Sequence, residues 1–254
     1  EKGTPQGAII SPCLTLLTLS GLEKAAKSGL KSSDKVNVIV YADDFVITGN
    51  SKEILENHVK PNVEAFLKQR GLKLSKEKTR IAHITQGFDF LGFNVRKYQE
   101  TLLIKPAKKN IKNFLSEIRS AIKSNPTVKT ENLIYLLNPK IRGWVNYYSN
   151  VVSKKTFSYV DNRIYIAIFN WCKRRHPNKG LRWIKKKYFR SQDLRNWIFF
   201  AKRSDKRHNS NIDLFEASRV KIKRHIKIKA KATPFDPEFI KYLIDRKMGI
   251  KCVR

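Results

Sequence analysis

The sequence predicts an α+β protein: a part that mixes strands and helices, then a mainly helical part, then a basic carboxy-terminal segment. Three observations predict this class. Short β-branched and aromatic runs, which are typical of strands, occur before residue 105. Apolar residues recur at helical spacing between residues 107 and 200. Of the 53 Lys and Arg residues, 38 lie after residue 100, against 10 of the 21 Asp and Glu residues.

The first part is predicted to contain short strands between helices. Ser11-Pro12 marks a helix start, because Pro is tolerated at the first helical position. Pro61 argues against a straight helix around it. In chain order, we expect a turn at Thr4–Gly7, a helix from Ser11, a hairpin of Val36–Val40 and Phe45–Ile47, a helix at Lys52–Arg70 that ends at Gly71, and strands at Phe88–Val95 and Thr101–Ile104.

The later part is predicted to be helical as far as residue 200. Beyond it, alternation of Ile with Lys or Arg predicts a strand with one basic face. In chain order, we expect helices that include Ile111–Ile122, Leu133–Tyr148 and Phe157–Cys172, a loop at Lys202–Ser210, a strand at Val220–Lys231, a break at Thr233–Pro237, and a short helix at Glu238–Lys247.

The composition indicates a folded protein with a polyanionic partner. Hydrophobic residues make up 41% of the chain, and the formal net charge is +32, which favours nucleic acid. Three Cys residues without a CxxC pair exclude a disulfide scaffold and a Cys-rich zinc module, and favour a reducing cytoplasmic or organellar compartment. No apolar run is long enough to cross a membrane, and no signal peptide is visible, so we expect no membrane partner and no secretion.

The most informative motif is Tyr41-Ala42-Asp43-Asp44, which lies between two apolar strands. Acids in a solvated turn are common, so a plain surface turn is one interpretation. Such turns usually contain Gly or Asn to supply a positive φ, however, and neither is present here. Carboxylates are also the hard oxygen ligands that Mg²⁺ prefers, and two such ions can drive phosphoryl transfer. The motif alone leaves both interpretations open.

A second motif, Gly3-Thr4-Pro5-Gln6-Gly7, precedes it by about one helix and one strand. In this order and spacing, the two motifs resemble the palm of a reverse transcriptase. Further segments resemble the reverse transcriptases and maturases encoded by group II introns, including their helical thumb and the basic DNA-binding segment after it. These segments are Gly71–Leu74, Glu77–Thr79, Phe90–Phe93, Ile141–Tyr148, Trp171–Pro177, Arg224–Lys229 and Pro234–Pro237.

The resemblance implies a role for individual palm residues. Asp43 and Asp44 match the acids of the two-metal Mg²⁺ site, with Asp44 less directly in contact with metal. Lys78 matches a lysine that assists the leaving pyrophosphate, although a solvated lysine near a helix end is an equally open interpretation. The remaining assignments are Pro5, Gln6, Gly7 and Tyr41 beside the nucleotide and template, and Leu91, Gly92 and Phe93 in the primer grip.

Basic residues of the later part are expected to contact nucleic acid, because Lys and Arg neutralise phosphates. Most of the large aromatic residues among them are expected to form the thumb core instead. The predicted contacts are Arg142, Arg174, Arg175, Lys185, Lys186, Lys187, Lys221, Lys223, Arg224, Lys227 and Lys229. The domains are then a partial palm at residues 1–105, a thumb or maturase domain at 106–200, and a DNA-binding segment at 201–254.

The resemblance implies an RNA-directed DNA polymerase that uses dNTPs and a DNA primer or target, and that binds template or intron RNA to assist splicing. Two alternatives remain: a maturase without polymerase activity, and a reverse transcriptase of the retron or defence-associated type. The family needs a further Asp in a motif before the Pro-Gln-Gly turn, and the chain starts at Glu1 rather than Met. We therefore expect a piece of a longer protein that is inactive by itself.

Overall fold

The computed structural model describes residues 8–192, 195–203, 211–223, 228–229 and 232–248. The chain divides into two compact units, Glu1–Asn110 and Ile111–Arg254. This observed architecture, with antiparallel sheets beside helices, is the predicted α+β class. None of the helices in the described ranges is both long and apolar enough to cross a membrane.

The first unit contains four helices and five strands within its described residues. The predicted helix start at Ser11-Pro12 is confirmed, as is the predicted hairpin. In chain order the elements are α1 (Ser11–Leu19), α2 (Leu22–Ala26), β1 (Asn37–Tyr41), β2 (Asp44–Thr48), α3 (Lys52–Ile54), α4 (Lys60–Lys68), β3 (Phe88–Phe90), β4 (Phe93–Tyr98) and β5 (Thr101–Pro106), with a 3₁₀ turn at Ser32–Asp34.

The core of this unit lies between α2, α4 and the β1–β2 hairpin. Its buried residues are Leu22, Ala26, Val36, Val59, Val63, Phe66 and Leu67, against which the hairpin packs Val38, Phe45 and Ile47. The apolar residues of α1 behave differently, since none of its residues is buried. Leu16 and Leu17 of α1 are 64% and 72% exposed.

The predicted helix over Lys52–Arg70 is present, but it contains a π-helical turn at Leu55–Val59 between α3 and α4. The turn lies directly before Pro61, which has no N–H to donate and whose ring crowds the preceding turn. The helix ends as predicted at Gly71, whose φ is +71°. Its N–H donates to the carbonyl of Lys68, and the N–H of Leu72 donates to the carbonyl of Leu67, which is a Schellman motif.

Strands β3, β4 and β5 form an antiparallel meander. The prediction of one strand over Phe88–Val95 is wrong, because the chain turns back at Leu91 and Gly92. These two residues have φ values of +49° and +79°. Positive φ at both central residues is the condition for the tight hairpin turn that matches strand twist. The Gly92 carbonyl accepts from the Ala107 N–H at 2.9 Å, which ties the turn to the end of β5.

The second unit is built on four long or medium helices. Each presents apolar residues at helical spacing to a shared core that contains Ile118, Ile141 and Ile168, all less than 1% exposed. Ser153, also fully buried, donates from its hydroxyl to the carbonyl of Tyr148 at 2.8 Å. The helices are α5 (Lys108–Lys123), α6 (Thr130–Tyr148), α7 (Lys154–Arg175) and α8 (Leu181–Tyr188).

The prediction of helix up to residue 200 is wrong at its end. After α8 the chain forms an antiparallel sheet of β6 (Phe189–Gln192), β7 (Arg195–Lys202) and β8 (Asn211–Asp213). The apolar run around Phe199 consists of aromatic and β-branched residues, which favour strands, and a short apolar run alone does not distinguish helix from strand.

The carboxy-terminal segment contains α9 (Pro237–Met248), which confirms the predicted final helix. The predicted strand over Val220–Lys231 is not found in its described residues, 220–223 and 228–229, which form no strand. The Lys223 N–H instead donates to the Ser149 carbonyl at 3.0 Å, which fastens this stretch to the end of α6.

Candidate functional site

The acidic motif lies at the tip of the β1–β2 hairpin. Strand pairing runs from Asn37 opposite Thr48 to Tyr41 opposite Asp44, so Ala42 and Asp43 are the two residues of the turn. A two-residue connection is the tightest that joins antiparallel strands. The hairpin therefore presents one acid in the turn and the other at the first position of β2.

The backbone of this turn is strained. Ala42 has a φ of +52°. In the left-handed region the Cβ of an L-residue meets its own carbonyl, which costs about 1–2 kcal/mol. The sequence contained this signal in part, because a turn that needs a positive φ has no Gly or Asn here. Strain of this kind accumulates where a side chain has to be held in one position for function.

Both carboxylates are free to bind a ligand. Asp43 and Asp44 are exposed. Within the described residues, neither takes part in an ion pair or a side-chain hydrogen bond. Tyr41 beside them is 63% exposed. The donor set is therefore two unengaged carboxylates at the tip of one hairpin, which fits part of a Mg²⁺ coordination shell.

The structure describes no cluster of three or more metal-binding side chains in the ranges it covers. Asp43 and Asp44 are thus two ligands of a set rather than a full cage. Mg²⁺ commonly binds through one or two carboxylates and completes its octahedron with water and substrate phosphates. The pair fits that mode of binding.

The predicted primer-grip residues lie at the tight turn between β3 and β4. Leu91, Gly92 and Phe93 are half-buried and make up the turn and the first residue of β4. The approach to this turn is also constrained: Gly87 has a φ of +78°, and the Arg96 guanidinium donates from Nε to the Thr85 carbonyl at 2.7 Å.

Four predicted palm residues remain: Lys78, Pro5, Gln6 and Gly7. Lys78 is exposed in a turn outside the helices and strands. The residues Pro5, Gln6 and Gly7 lie outside the described part of the chain. Their predicted role beside the nucleotide, like that of Lys78, stays a prediction.

The basic residues of the second unit divide into exposed and engaged groups. Arg174, Lys185, Lys186 and Lys187 are exposed. Arg175 is engaged within the protein: its guanidinium lies 4.6 Å from the Trp171 ring and donates to the Val128 carbonyl. Of the predicted carboxy-terminal contacts, Lys221, Lys223 and Lys229 are exposed, whereas Arg224 and Lys227 lie outside the described residues.

Arg142 lies at an open cleft of about 430 Å³. Its guanidinium stacks 5.1 Å from the Phe215 ring. The cleft also contains Arg195 and Arg219. Because they are far from Arg142 in the chain, the sequence did not predict that the three would lie together. Arg195 pairs with Glu216, so the cleft is not uniformly basic.

The expectation that most large aromatics form the core fits Trp171 and Trp144. Trp171 is 1% exposed and donates from its indole N–H to the Asn125 carbonyl at 2.8 Å. Trp144 stacks on Phe114 with ring centroids 4.7 Å apart. Trp183 and Trp197 differ from these two, since they are 37% and 39% exposed.

Two family models match the chain, one in each unit. The model for reverse transcriptase (RNA-dependent DNA polymerase) matches residues 1–95, and the model for the group II intron maturase-specific domain matches residues 111–189. Among curated proteins, the chain is similar to the ribosomal operon-associated A protein of Euglena longa, with 27% identity over 129 residues. The match covers 50% of this chain and 25% of that protein, so the chain spans about a quarter of the relative's length.

Proposed function

Because the chain belongs to the reverse transcriptases and maturases that group II introns encode, we propose that it acts in RNA-directed DNA synthesis and in the binding of intron RNA for splicing. The observation that carries the proposal is the strained hairpin turn with two unengaged carboxylates, Asp43 and Asp44. The match to the maturase-specific domain favours this class over the retron or defence-associated type.

In the proposed mechanism, Asp43 and Asp44 hold Mg²⁺, which stabilises the charge that develops during phosphoryl transfer. The packing of Val38, Phe45 and Ile47 on the core supports this role. It fixes the hairpin, so the carboxylates are held in place before the substrate arrives. Leu91, Gly92 and Phe93 support the primer end through the tight turn between β3 and β4.

Residues outside these two turns complete the proposed site. Gln6 and Gly7, with Pro5 and Tyr41, lie against the template and the incoming dNTP. Lys78 assists the departure of pyrophosphate. The family uses a further Asp from a motif that precedes the Pro-Gln-Gly turn, so we propose that residues 1–254 by themselves do not catalyse.

The second unit is proposed to bind RNA, and the charge distribution supports this. Residues 111–254 carry 35 Lys and Arg against 10 Asp and Glu, a net charge of +25. Like charges at this density repel one another, and a polyanion relieves the repulsion. Lys185, Lys186 and Lys187 extend from one exposed turn of α8, where they can track phosphates.

Primer extension on an RNA template, with Mg²⁺ and dNTPs, tests the polymerase proposal. Residues 1–254 are assayed alone and joined to the amino-terminal part of an intron-encoded reverse transcriptase. We expect extension only from the joined protein, and none after Asp43→Asn. The control is Glu64→Gln, which removes an exposed charge from α4 in the same unit and should leave extension unchanged. Extension that survives Asp43→Asn would refute the proposed role of the hairpin.

RNA binding is tested separately, by the salt dependence of affinity. Each phosphate contact contributes a slope of about −0.7 to −0.9 in log K against log salt concentration. Replacing Lys185, Lys186 and Lys187 by Ala should flatten this slope. The matched control replaces three exposed lysines of α5, Lys108, Lys109 and Lys112. If the joined protein binds RNA but never extends a primer, the protein is a maturase without polymerase activity.

A further inference from the structure

Trp197 lies in an irregular position of β7. The register between β6 and β7 shifts between Arg190 and Gln192, so β7 has an extra residue there. Trp197 has a φ of +71°. For a residue this bulky, a positive φ is an outlier that costs about 1–2 kcal/mol. Bulges of this type redirect a side chain away from the direction it has in a regular strand.

The bulge leaves the Trp197 ring half on the surface. Trp197 is 39% exposed, although it has one of the largest apolar side chains. Tyr165, Phe169 and Phe189 hold it at steep angles of 83°, 75° and 66°, with centroids 5.8–6.5 Å away. Contacts at these angles fix the plane of the indole, and none of them is a parallel stack on it.

The Lys185 ammonium lies 4.2 Å from the centroid of the Trp197 ring. An ammonium is strongly hydrated, and Lys185 is exposed, so this face of the indole borders solvent rather than protein. A lysine side chain is flexible and can leave the ring at small cost. A flat π-system can then take its place, while the ammonium remains within reach of a neighbouring anion.

The surroundings select the charge of the ligand. From Leu181 to Arg203 the sequence has a single acid, Asp193. The basic residues of the same stretch are Arg182, Lys185, Lys186, Lys187, Arg190, Arg195, Lys202 and Arg203. Two of them are paired with acids, Arg190 with Asp213 and Arg195 with Glu216, so the other six supply the positive charge for a ligand. A ligand that combines a flat aromatic group with a phosphate fits this surface, and each unpaired nucleotide of a single strand is such a ligand.

We propose that Trp197 stacks on an unpaired base of a single-stranded nucleic acid, with Lys185 binding the adjacent phosphate. The inference rests on the proposed binding of nucleic acid by this chain. It adds that the bound strand is single and that Trp197 is the residue that contacts its base. Bases inside a duplex are already stacked on each other, so the Trp197 site distinguishes single from double strands.

Trp183 provides a matched control. It is 37% exposed and lies under the Lys187 ammonium at 4.6 Å, so exposure and charge resemble those of Trp197. Its backbone is ordinary helix, and its one ring neighbour among the described residues is His176, 4.7 Å away. It therefore lacks both the bulge and the aromatic frame that fix the plane of Trp197.

The test compares an unstructured 12-nucleotide strand with its duplex, as RNA and as DNA. Base–aromatic stacking predicts that Trp197→Leu weakens single-strand binding by about 5- to 150-fold. Duplex binding should change less than about twofold, and Trp183→Leu should leave both unchanged. A larger effect with RNA assigns the site to a template or intron strand, and one with DNA to a primer or target strand; either supports the proposal.

A second measurement does not depend on the folding of the Leu variant. In wild-type protein labelled with 5-fluorotryptophan, each of the four Trp residues gives its own ¹⁹F resonance. The Trp197 resonance, assigned with the conservative Trp197→Phe, should shift on addition of the single strand. An unshifted resonance, or equal losses for Trp197→Leu and Trp183→Leu, overturns the stacking while nucleic-acid binding stands. Wild-type protein that binds neither strand form refutes the proposed function as well.

Discussion

Adding a single methyl group at Gly87 should destabilise the sheet that carries the Leu91-Gly92 turn. A Cβ built on Gly87 lies 2.8 Å from the Arg96 Cβ and 3.0 Å from the Val95 carbonyl oxygen. Favourable contacts between carbon atoms lie near 3.5–4.0 Å. One of the two obstacles is backbone, and the other is the first atom of a side chain, so neither can rotate away.

The magnitude follows from three contributions. Gly87 has a φ of +78°, where a Cβ costs about 1–2 kcal/mol. Overpacking against fixed atoms adds about 1–3 kcal/mol. Ala also restricts the unfolded chain, which returns about 0.4–1 kcal/mol. Gly87→Ala should therefore lower the free energy of unfolding by about 1–4.5 kcal/mol.

The control is Gly29→Ala. Gly29 has a nearly equal φ of +74°, but nothing lies within 4 Å of its Cβ position. Without overpacking, the expected loss is at most about 1.5 kcal/mol. The free energy of unfolding is measured by urea denaturation. Hydrogen exchange of peptides from residues 8–110 then shows whether the loss of stability lies in this part of the chain. Equal losses for the two variants, within about 0.5 kcal/mol, would refute the steric reasoning.

Three further predictions concern the second unit. Asp161→Ala should destabilise it by about 2–4 kcal/mol in urea unfolding, because the carboxylate accepts from the N–H groups of Ala217 and Ser218 at 2.8 Å; a loss below about 1 kcal/mol would contradict this. Burial raises the pKa of Cys172 to about 12, so with the other two cysteines replaced by Ser, a thiol reagent at pH 8 should react only after denaturation. Desolvation and nearby cations lower the pKa of His176 below 6.5, so the unfolded state takes up the proton first and stability falls as pH drops below 6.5. His176→Gln should reduce that fall between pH 7 and 5, and an unchanged profile would exclude His176 as its cause.

Sequence patterns predicted those elements whose turn, end or irregularity is caused by residues within a short stretch of chain. The hairpin around Asp43 follows from two β-branched runs separated by a turn, and the helix end at Gly71 follows from one glycine. Pro61 predicted an irregular helix, and the π-helical turn before it is that irregularity. In each case the physical cause lies within a few residues, so the order of the residues is sufficient.

Long-range contacts decided what sequence reasoning missed. The apolar run around Phe199 is strand because it pairs with β6 and β8, a partnership that no periodicity encodes. The cleft beside Arg142 brings in Arg195 and Arg219 from distant stretches. A large apolar residue such as Trp197 is expected in the core, but in the structure it lies at the bulge in β7 and is 39% exposed.

The sequence by itself therefore determined the α+β class, the family resemblance and the acidic hairpin, because motif spacing and turn chemistry are local properties. The tertiary structure decided which charged and aromatic side chains are engaged inside the protein and which face solvent. Arg174 and Arg175 are neighbours of the same type, yet one is exposed and the other is bound to the Val128 carbonyl. Burial depends on which elements pack together, and adjacent positions on a helix point in directions about 100° apart.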